Sequence, residues 1–156
     1  MPELALASTG GGTVDLSLLK GAVVVFVYPY SGQPGHADPP GWDDIPGAHG
    51  STPEAQGFRD HYAQFQAAGF EVFGLSGQTT AWQREFAHRL GLRYELLSDD
   101  AFAFADDLSL PTFTAGGVVY LERLTLIVRD GVLVQAVHPV VDPAGHAAAV
   151  LAMLRA

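Results

Sequence analysis

Ala22-Val23-Val24-Val25-Phe26-Val27-Tyr28-Pro29 and, further along, Gly50-Ser51-Thr52-Pro53-Glu54-Ala55 are the two stretches that decide the fold. The first is an unbroken β-branched and aromatic run closed by proline, the pattern of a central strand covered on both faces. The second reads as a helix start: Ser51 or Thr52 can cap, Pro53 suits the first turn, and Ser51-x-x-Glu54 matches a capping box. Ala55, Phe58, Tyr62 and Phe65 then fall on one side of the helix, and Gly69 ends it.

Working outward, Phe70 to Ser76 reads as a strand, followed by a helix capped at Thr79 or Thr80 and closed by Gly91. Strand, helix, strand, helix in that order implies parallel pairing with right-handed crossovers. A short strand is expected over Glu95 to Leu97 and a helix over Asp99 to Leu108. Strands follow over Val118 to Leu121, Leu124 to Val128 and Val132 to Val137, with Asp130-Gly131 as a hairpin turn. Ala147, Val150, Leu151 and Leu154 have helical spacing in the last segment. Upstream, Leu4 to Leu6 and Thr13 to Leu16, joined through Gly10-Gly11-Gly12, predict an edge hairpin. The expectation is one α/β domain over residues 1–156: a mixed sheet of about five core strands between helices, with an N-terminal hairpin and a long loop insertion at about 30–50.

Composition narrows the function. Seventeen acidic against eight basic side chains give a formal charge of −9, with Lys20 the only lysine, and such a field repels nucleic acid backbones. The apolar run from Ala22 to Tyr28 is far shorter than the roughly 20 residues a membrane span needs, and no basic signal region precedes it. The default expectation is a cytoplasmic protein with no membrane or nucleic acid partner. Cysteine is absent, which excludes disulfides and thiolate metal sites.

With these stretches go Phe58-Arg59-Asp60, Leu110-Pro111-Thr112-Phe113 and Glu122-Arg123-Leu124-Thr125-Leu126-Ile127-Val128-Arg129-Asp130-Gly131. Together they resemble the peroxiredoxins, and within them the bacterioferritin-comigratory, or Q-type, group, in element order over nearly the whole chain. The resemblance implies a thioredoxin-like fold and a thiol-dependent reduction of hydrogen peroxide or alkyl hydroperoxides. It places Ser51 at the peroxide-attacking cysteine, Gln56 at the vacant resolving position, and Arg123 as the stabilising guanidinium. Pro29, Ser31, Thr52 and Glu54 become the supporting framework, and Glu54 could orient the arginine. It implies no cofactor and no metal, and as partners a peroxide and a thioredoxin-like or small-thiol reductant. Two departures stand out. The family keeps only a short turn where this chain has its insertion, and Ala48 stands where a threonine is expected; Ser31 is assigned that hydroxyl's role.

The physical chemistry of such a site is general. A thiol attacks a peroxide as the thiolate, which a helix N-terminus and a neighbouring arginine stabilise. Serine cannot replace it: its hydroxyl stays protonated, and oxygen has no counterpart to the oxidation ladder of sulfur. Either a cysteine was changed to serine at an otherwise maintained site, or the chain is a naturally cysteine-free binding module. A third reading has His49 or His61 acting as a base near Ser51. Taken alone, Ser51 is a helix cap and Arg123, alternating with Leu124 and Leu126 on a strand, a surface arginine paired with an acid such as Glu122. Serine-hydrolase spacing is not met around Ser51 or Ser76. His36, Asp38, Asp43, Asp44 and His49 lack any fixed metal-ligand spacing and read as a solvated loop. Trp42 and Ile45 are expected to pack that loop over the site.

Overall fold

The computed structural model describes residues 1–156. The strand after the first turn is β3 (Ala22–Val27), and the chain around it runs β1 (Ala5–Ser8), β2 (Thr13–Asp15), β3, α1 (Ser51–Asp60), α2 (Tyr62–Ala67), β4 (Phe70–Ser76), α3 (Thr80–Leu90), β5 (Glu95–Ser98), α4 (Ala103–Leu108), β6 (Thr112–Ala115), β7 (Val118–Leu121), β8 (Leu124–Arg129), β9 (Val132–Val137) and α5 (Pro143–Arg155). The sheet order is β2-β1-β5-β4-β3-β8-β9. β3 pairs parallel with β4 and antiparallel with β8, and β4 pairs parallel with β5. Five strands, β5-β4-β3-β8-β9, form the expected mixed core, and the β1-β2 hairpin extends it along one edge. No helix is long and apolar enough to cross a membrane.

β3 is hydrophobic without interruption because both its faces are buried. Val24, Phe26 and Tyr28 point into a core with Phe58, Phe65, Phe86, Val150 and Leu151. Val23, Val25 and Val27 point the other way, against Leu6, Leu75, Leu97, Phe104 and Leu126. The period of two along a strand divides one apolar run between two cores. On the α1 side, the Phe26 ring stacks on Phe58 at 4.5 Å, and the Tyr94 hydroxyl donates to the Ala55 carbonyl at 2.7 Å, fastening α1 over the sheet. Gly74 is where this packing excludes a side chain: a Cβ there would lie 2.5 Å from Leu96 and 2.8 Å from the Phe26 ring.

Four local expectations change. The helix expected from Ser51 to Gly69 breaks at His61 (φ −101°, ψ 4°) into α1 and α2. There the His61 ring and its own backbone N–H both engage the Gly57 carbonyl, so side chain and helix compete for one acceptor. The capping box does not form: Gly50 is the N-cap, at φ 118°, and no side chain caps it. A Cβ at Gly50 would also strike the Pro143 ring at 2.7 Å. The helix expected from Asp99 begins instead at Ala103, because the Asp99 carboxylate accepts from the N–H groups of Phe104 and Ala105 at 3.0 and 2.9 Å and so caps it from outside. Finally, Thr112–Ala115 is a strand that the sequence pattern did not indicate, paired with β7 in a small separate hairpin.

Candidate active site

α1 delivers Ser51 as its first helical residue, only 5% exposed, beyond the end of β3. Arg123 comes from far along the chain. It does not lie on a strand, as its spacing suggested, but in the two-residue link between β7 and β8. Released from strand alternation, its side chain turns inward and is almost fully buried, and its partner is Glu54, not Glu122. Nη1 and Nη2 each donate to Ser51 Oγ at 3.2 Å, a two-pronged approach to one oxygen. Nη1 also donates to Glu54 Oε1 at 2.9 Å. Nη2 is shared among the carbonyls of Gly47, Ala48 and His49 at 3.2 to 3.3 Å.

Glu54 is one turn beyond Ser51 and fully buried, so its carboxylate meets Arg123 and does not reach back to cap α1. Burial pushes Glu54 up to about 7, against the downward pull of the Arg123 charge and hydrogen bond. Behind this pair, Thr125 Oγ1 is hydrogen-bonded to His146 Nε2 at 2.7 Å. Burial, reinforced by the Arg123 charge, lowers His146 to about 4 and keeps it neutral. The site is therefore a buried ion pair aimed at position 51, backed by a neutral hydrogen bond between sheet and α5.

A cleft of about 260 Å³ opens over Ser51, with Tyr30, Trp42, Thr52 and Pro53 in its walls and Asp38 and His49 also lining it. Trp42, 3% exposed, is sunk into a cluster with Ala48 and Ala115, its ring 5.0 Å from Tyr120, 5.5 Å from Tyr30 and 5.7 Å from Phe113. The insertion thus packs across the β6-β7 hairpin, with Ile45 partly buried in the same cluster. Sequence reasoning flagged Trp42 and Ile45, but not the hairpin that receives them, nor the run of carbonyls at 47–49. The only advance signal was an aromatic residue within a loop.

The remaining candidates separate. Pro29 is buried directly after β3, where Tyr28 N–H still bonds the Leu75 carbonyl. Gln56 sits on α1, half-buried. Ser31 is turned elsewhere: its hydroxyl donates to Gln78 Oε1 at 3.0 Å, and its carbonyl accepts from Gln78 and from the Trp82 indole. Its hydrogen bonds fasten the start of the insertion to the α3 region and do not reach Ser51. His49 pairs with Asp43 and His61 with Gly57, so neither histidine bonds Ser51. His36 lies against the Trp82 ring, and no three histidine or acidic side chains gather as a metal site.

Comparison with known proteins agrees with this geometry. The Redoxin family matches residues 1–151. A putative peroxiredoxin bcp of Coxiella burnetii is 30% identical over 98% of this chain and 94% of its own length. The chain belongs to the redoxin family. Within it, the relatives are peroxiredoxins of the Q type, including the chloroplastic peroxiredoxin Q of Suaeda salsa, 33% identical over 85% of this chain. This redoxin spans about half the length of such plant relatives, 55% of the Suaeda salsa protein and 44% of a putative chloroplastic peroxiredoxin Q of Oryza sativa subsp. indica. Among solved structures, the bacterioferritin comigratory protein of Xanthomonas campestris superimposes with a TM-score of 0.78 at 28% identity, covering 97% of this chain and 90% of that one. The thioredoxin-like peroxiredoxin fold expected from the sequence is thus the fold of this redoxin, although it carries no cysteine.

Proposed function

We propose that this redoxin is the scaffold of a thiol-dependent peroxide reductase whose attacking position is residue 51: active with cysteine there, and peroxidatically silent with serine. The observation that carries this reading is the pair of Arg123 donors converging on Ser51 Oγ from within a buried pocket. A neutral hydroxyl at a helix start needs no guanidinium, whereas an anion there gains from both the donors and the helix N-terminus. That the solved Xanthomonas relative is described by its alkyl peroxide reduction activity supports the same reaction class.

In the cysteine form, a thiolate at 51 attacks one peroxide oxygen. A sulfur–oxygen bond forms, the oxygen–oxygen bond breaks, and the leaving oxygen takes a proton to become water or an alcohol. Arg123 stabilises the thiolate first and then the charge that moves to the departing oxygen. Glu54 holds the guanidinium, and Pro29, Thr52 and the start of α1 shape the site. Gln56 cannot form the disulfide that a second cysteine would. The sulfenic acid is therefore reduced from outside: one thiol displaces water to give a mixed disulfide, and a second thiol releases the enzyme. A thioredoxin-like dithiol or a small thiol in a reducing cytoplasm meets that need.

The test is Ser51→Cys. The variant consumes hydrogen peroxide in the presence of dithiothreitol or thioredoxin with its reductase, while the serine chain does not. Peroxide loss no faster than with the serine chain, from a folded Ser51→Cys protein, overturns the reading.

A further inference from the structure

The insertion between Tyr30 and Gly50 has more structure than a solvated loop needs. Its start is tied down by Gln78 and Trp82 on Ser31 and by Arg89, which donates to the Gly32 carbonyl at 2.9 Å. Its middle is anchored by Trp42, and Pro40 packs on Gly116 of the β6-β7 turn, where a Cβ would lie 3.1 Å from the proline ring. Its end is held by the three carbonyls on Arg123. A segment fixed at start, middle and end, with Tyr30 and Trp42 facing the cleft over Ser51, is a wall and not a tether.

Its charge is one-sided. The segment contains Asp38, Asp43 and Asp44 and no lysine or arginine. Asp43 is paired with His49, and beneath the cleft Glu54 offsets Arg123. Asp38 is left as the unpaired charge lining the cleft. Its field reaches Tyr30, whose phenol is raised first by burial and then by Asp38. The cleft, about 260 Å³, falls just under the range of roughly 300 Å³ upward that houses drug-sized ligands.

We propose that the 30–50 insertion is a substrate wall, with Trp42 setting its depth and Asp38 its charge, that fits the site to compact, uncharged hydroperoxides and turns away long-chain hydroperoxides bearing a carboxylate. The inference rests on the peroxide-reductase reading for its choice of ligand, but the wall is testable without turnover, because the serine chain binds a peroxide and cannot consume it.

The binding arm uses the serine chain with Trp82 and its bond to Ser31 intact, and its Trp42→Phe variant separates the Trp42 signal from that of Trp82, the other indole. Titration with tert-butyl hydroperoxide gives a saturable change in Trp42 fluorescence. Linoleic acid hydroperoxide binds about tenfold or more weakly at low salt, and added salt or Asp38→Asn narrows the gap severalfold. No response to tert-butyl hydroperoxide, or equal or tighter binding of the fatty-acid hydroperoxide, overturns the proposal. The kinetic arm adds Ser51→Cys: Trp42→Ala raises the ratio of kcat/KM for cumene hydroperoxide over hydrogen peroxide about fivefold, with Trp42→Phe, which keeps an aromatic anchor, in between. An unchanged ratio in both variants counts against the wall. The two failures differ in appearance. Selective binding without turnover sinks the peroxide-reductase reading and leaves the wall standing; turnover that is indifferent to tail size and charge does the reverse.

Discussion

Arg123 and Thr125 are two residues apart where β8 begins, both are buried, and each hydrogen-bonds across to a helix. Thr125 meets His146 on α5, a neutral pair whose two groups satisfy one another. Arg123 meets Glu54 on α1, a charged pair that leaves Glu54 Oε2 and Arg123 Nε buried without partners. Joining sheet to helix needs only the first kind of contact. A buried ion pair is commonly no better for stability than neutral packing of the same shape, since desolvation offsets the attraction. The charge at 123 is therefore explained by what it faces, the oxygen of Ser51, and not by what it holds together. On the proposed peroxide-reductase reading, two neighbouring positions on one chain separate a group that faces the reacting atom from a group that joins sheet to helix.

The strongest way to break this comparison is to remove the charge. In a Ser51→Cys background, Arg123→Met lowers kcat/KM for hydrogen peroxide by about a hundredfold or more, the usual scale for losing a preorganised donor to developing negative charge. A loss below tenfold would place Arg123 with Thr125 among structural residues.

The second test reads pH-dependent stability, where the two pairs pull in opposite directions. Glu54, raised from 4.5 to about 7, holds a proton more tightly in the folded state. Its stabilising contribution is complete below about 4.5 and is lost as pH rises to about 7. His146, lowered from 6.5 to about 4, is the reverse: its contribution is complete above about 6.5 and is lost as pH falls to about 4. Each swing is on the order of 3 kcal/mol, and the two offset each other between about pH 4.5 and 6.5. Urea unfolding across that window should show stability rising with pH in Glu54→Gln, where the histidine acts alone, and falling with pH in His146→Gln. Parallel curves for the two variants would mean that neither group titrates as its surroundings require.

The smallest effect belongs to the neutral pair. Thr125→Val keeps the shape and removes the hydroxyl, which should cost about 1 to 2 kcal/mol in the urea midpoint. In the Ser51→Cys background it should leave peroxide turnover within about twofold. A larger kinetic loss than stability loss would move Thr125 into the site.

Much of this was legible in the sequence, for identifiable reasons. Val23 to Val27 could be assigned to a central strand because a doubly covered strand is apolar at every position, and Gly91 closed α3 because a left-handed C-cap favours glycine. Position 51 was recognisable from its surroundings, since Pro53, Glu54 and Phe58-Arg59-Asp60 are near it in sequence. What stayed hidden depended on distant contacts. Arg123 leaves its strand to reach a residue 72 positions away, and no local period records that. Glu54 looked like a capping residue because nothing nearby in sequence shows the arginine that captures it. Ser31 looked like a neighbour of Ser51 because the distance bridged by an insertion cannot be read from its length. The break at His61 turns on one side chain competing for one carbonyl.

The Nη2 nitrogen of Arg123 has two hydrogens and four oxygens within 3.2 to 3.3 Å: three loop carbonyls and Ser51 Oγ. It is oversubscribed, and every one of these contacts sits at the long end of the hydrogen-bond range. The same side chain has one short anchor, Nη1 to Glu54 at 2.9 Å. A fifth oxygen arriving from solvent would thus replace one of several long contacts and leave the short anchor to Glu54 in place.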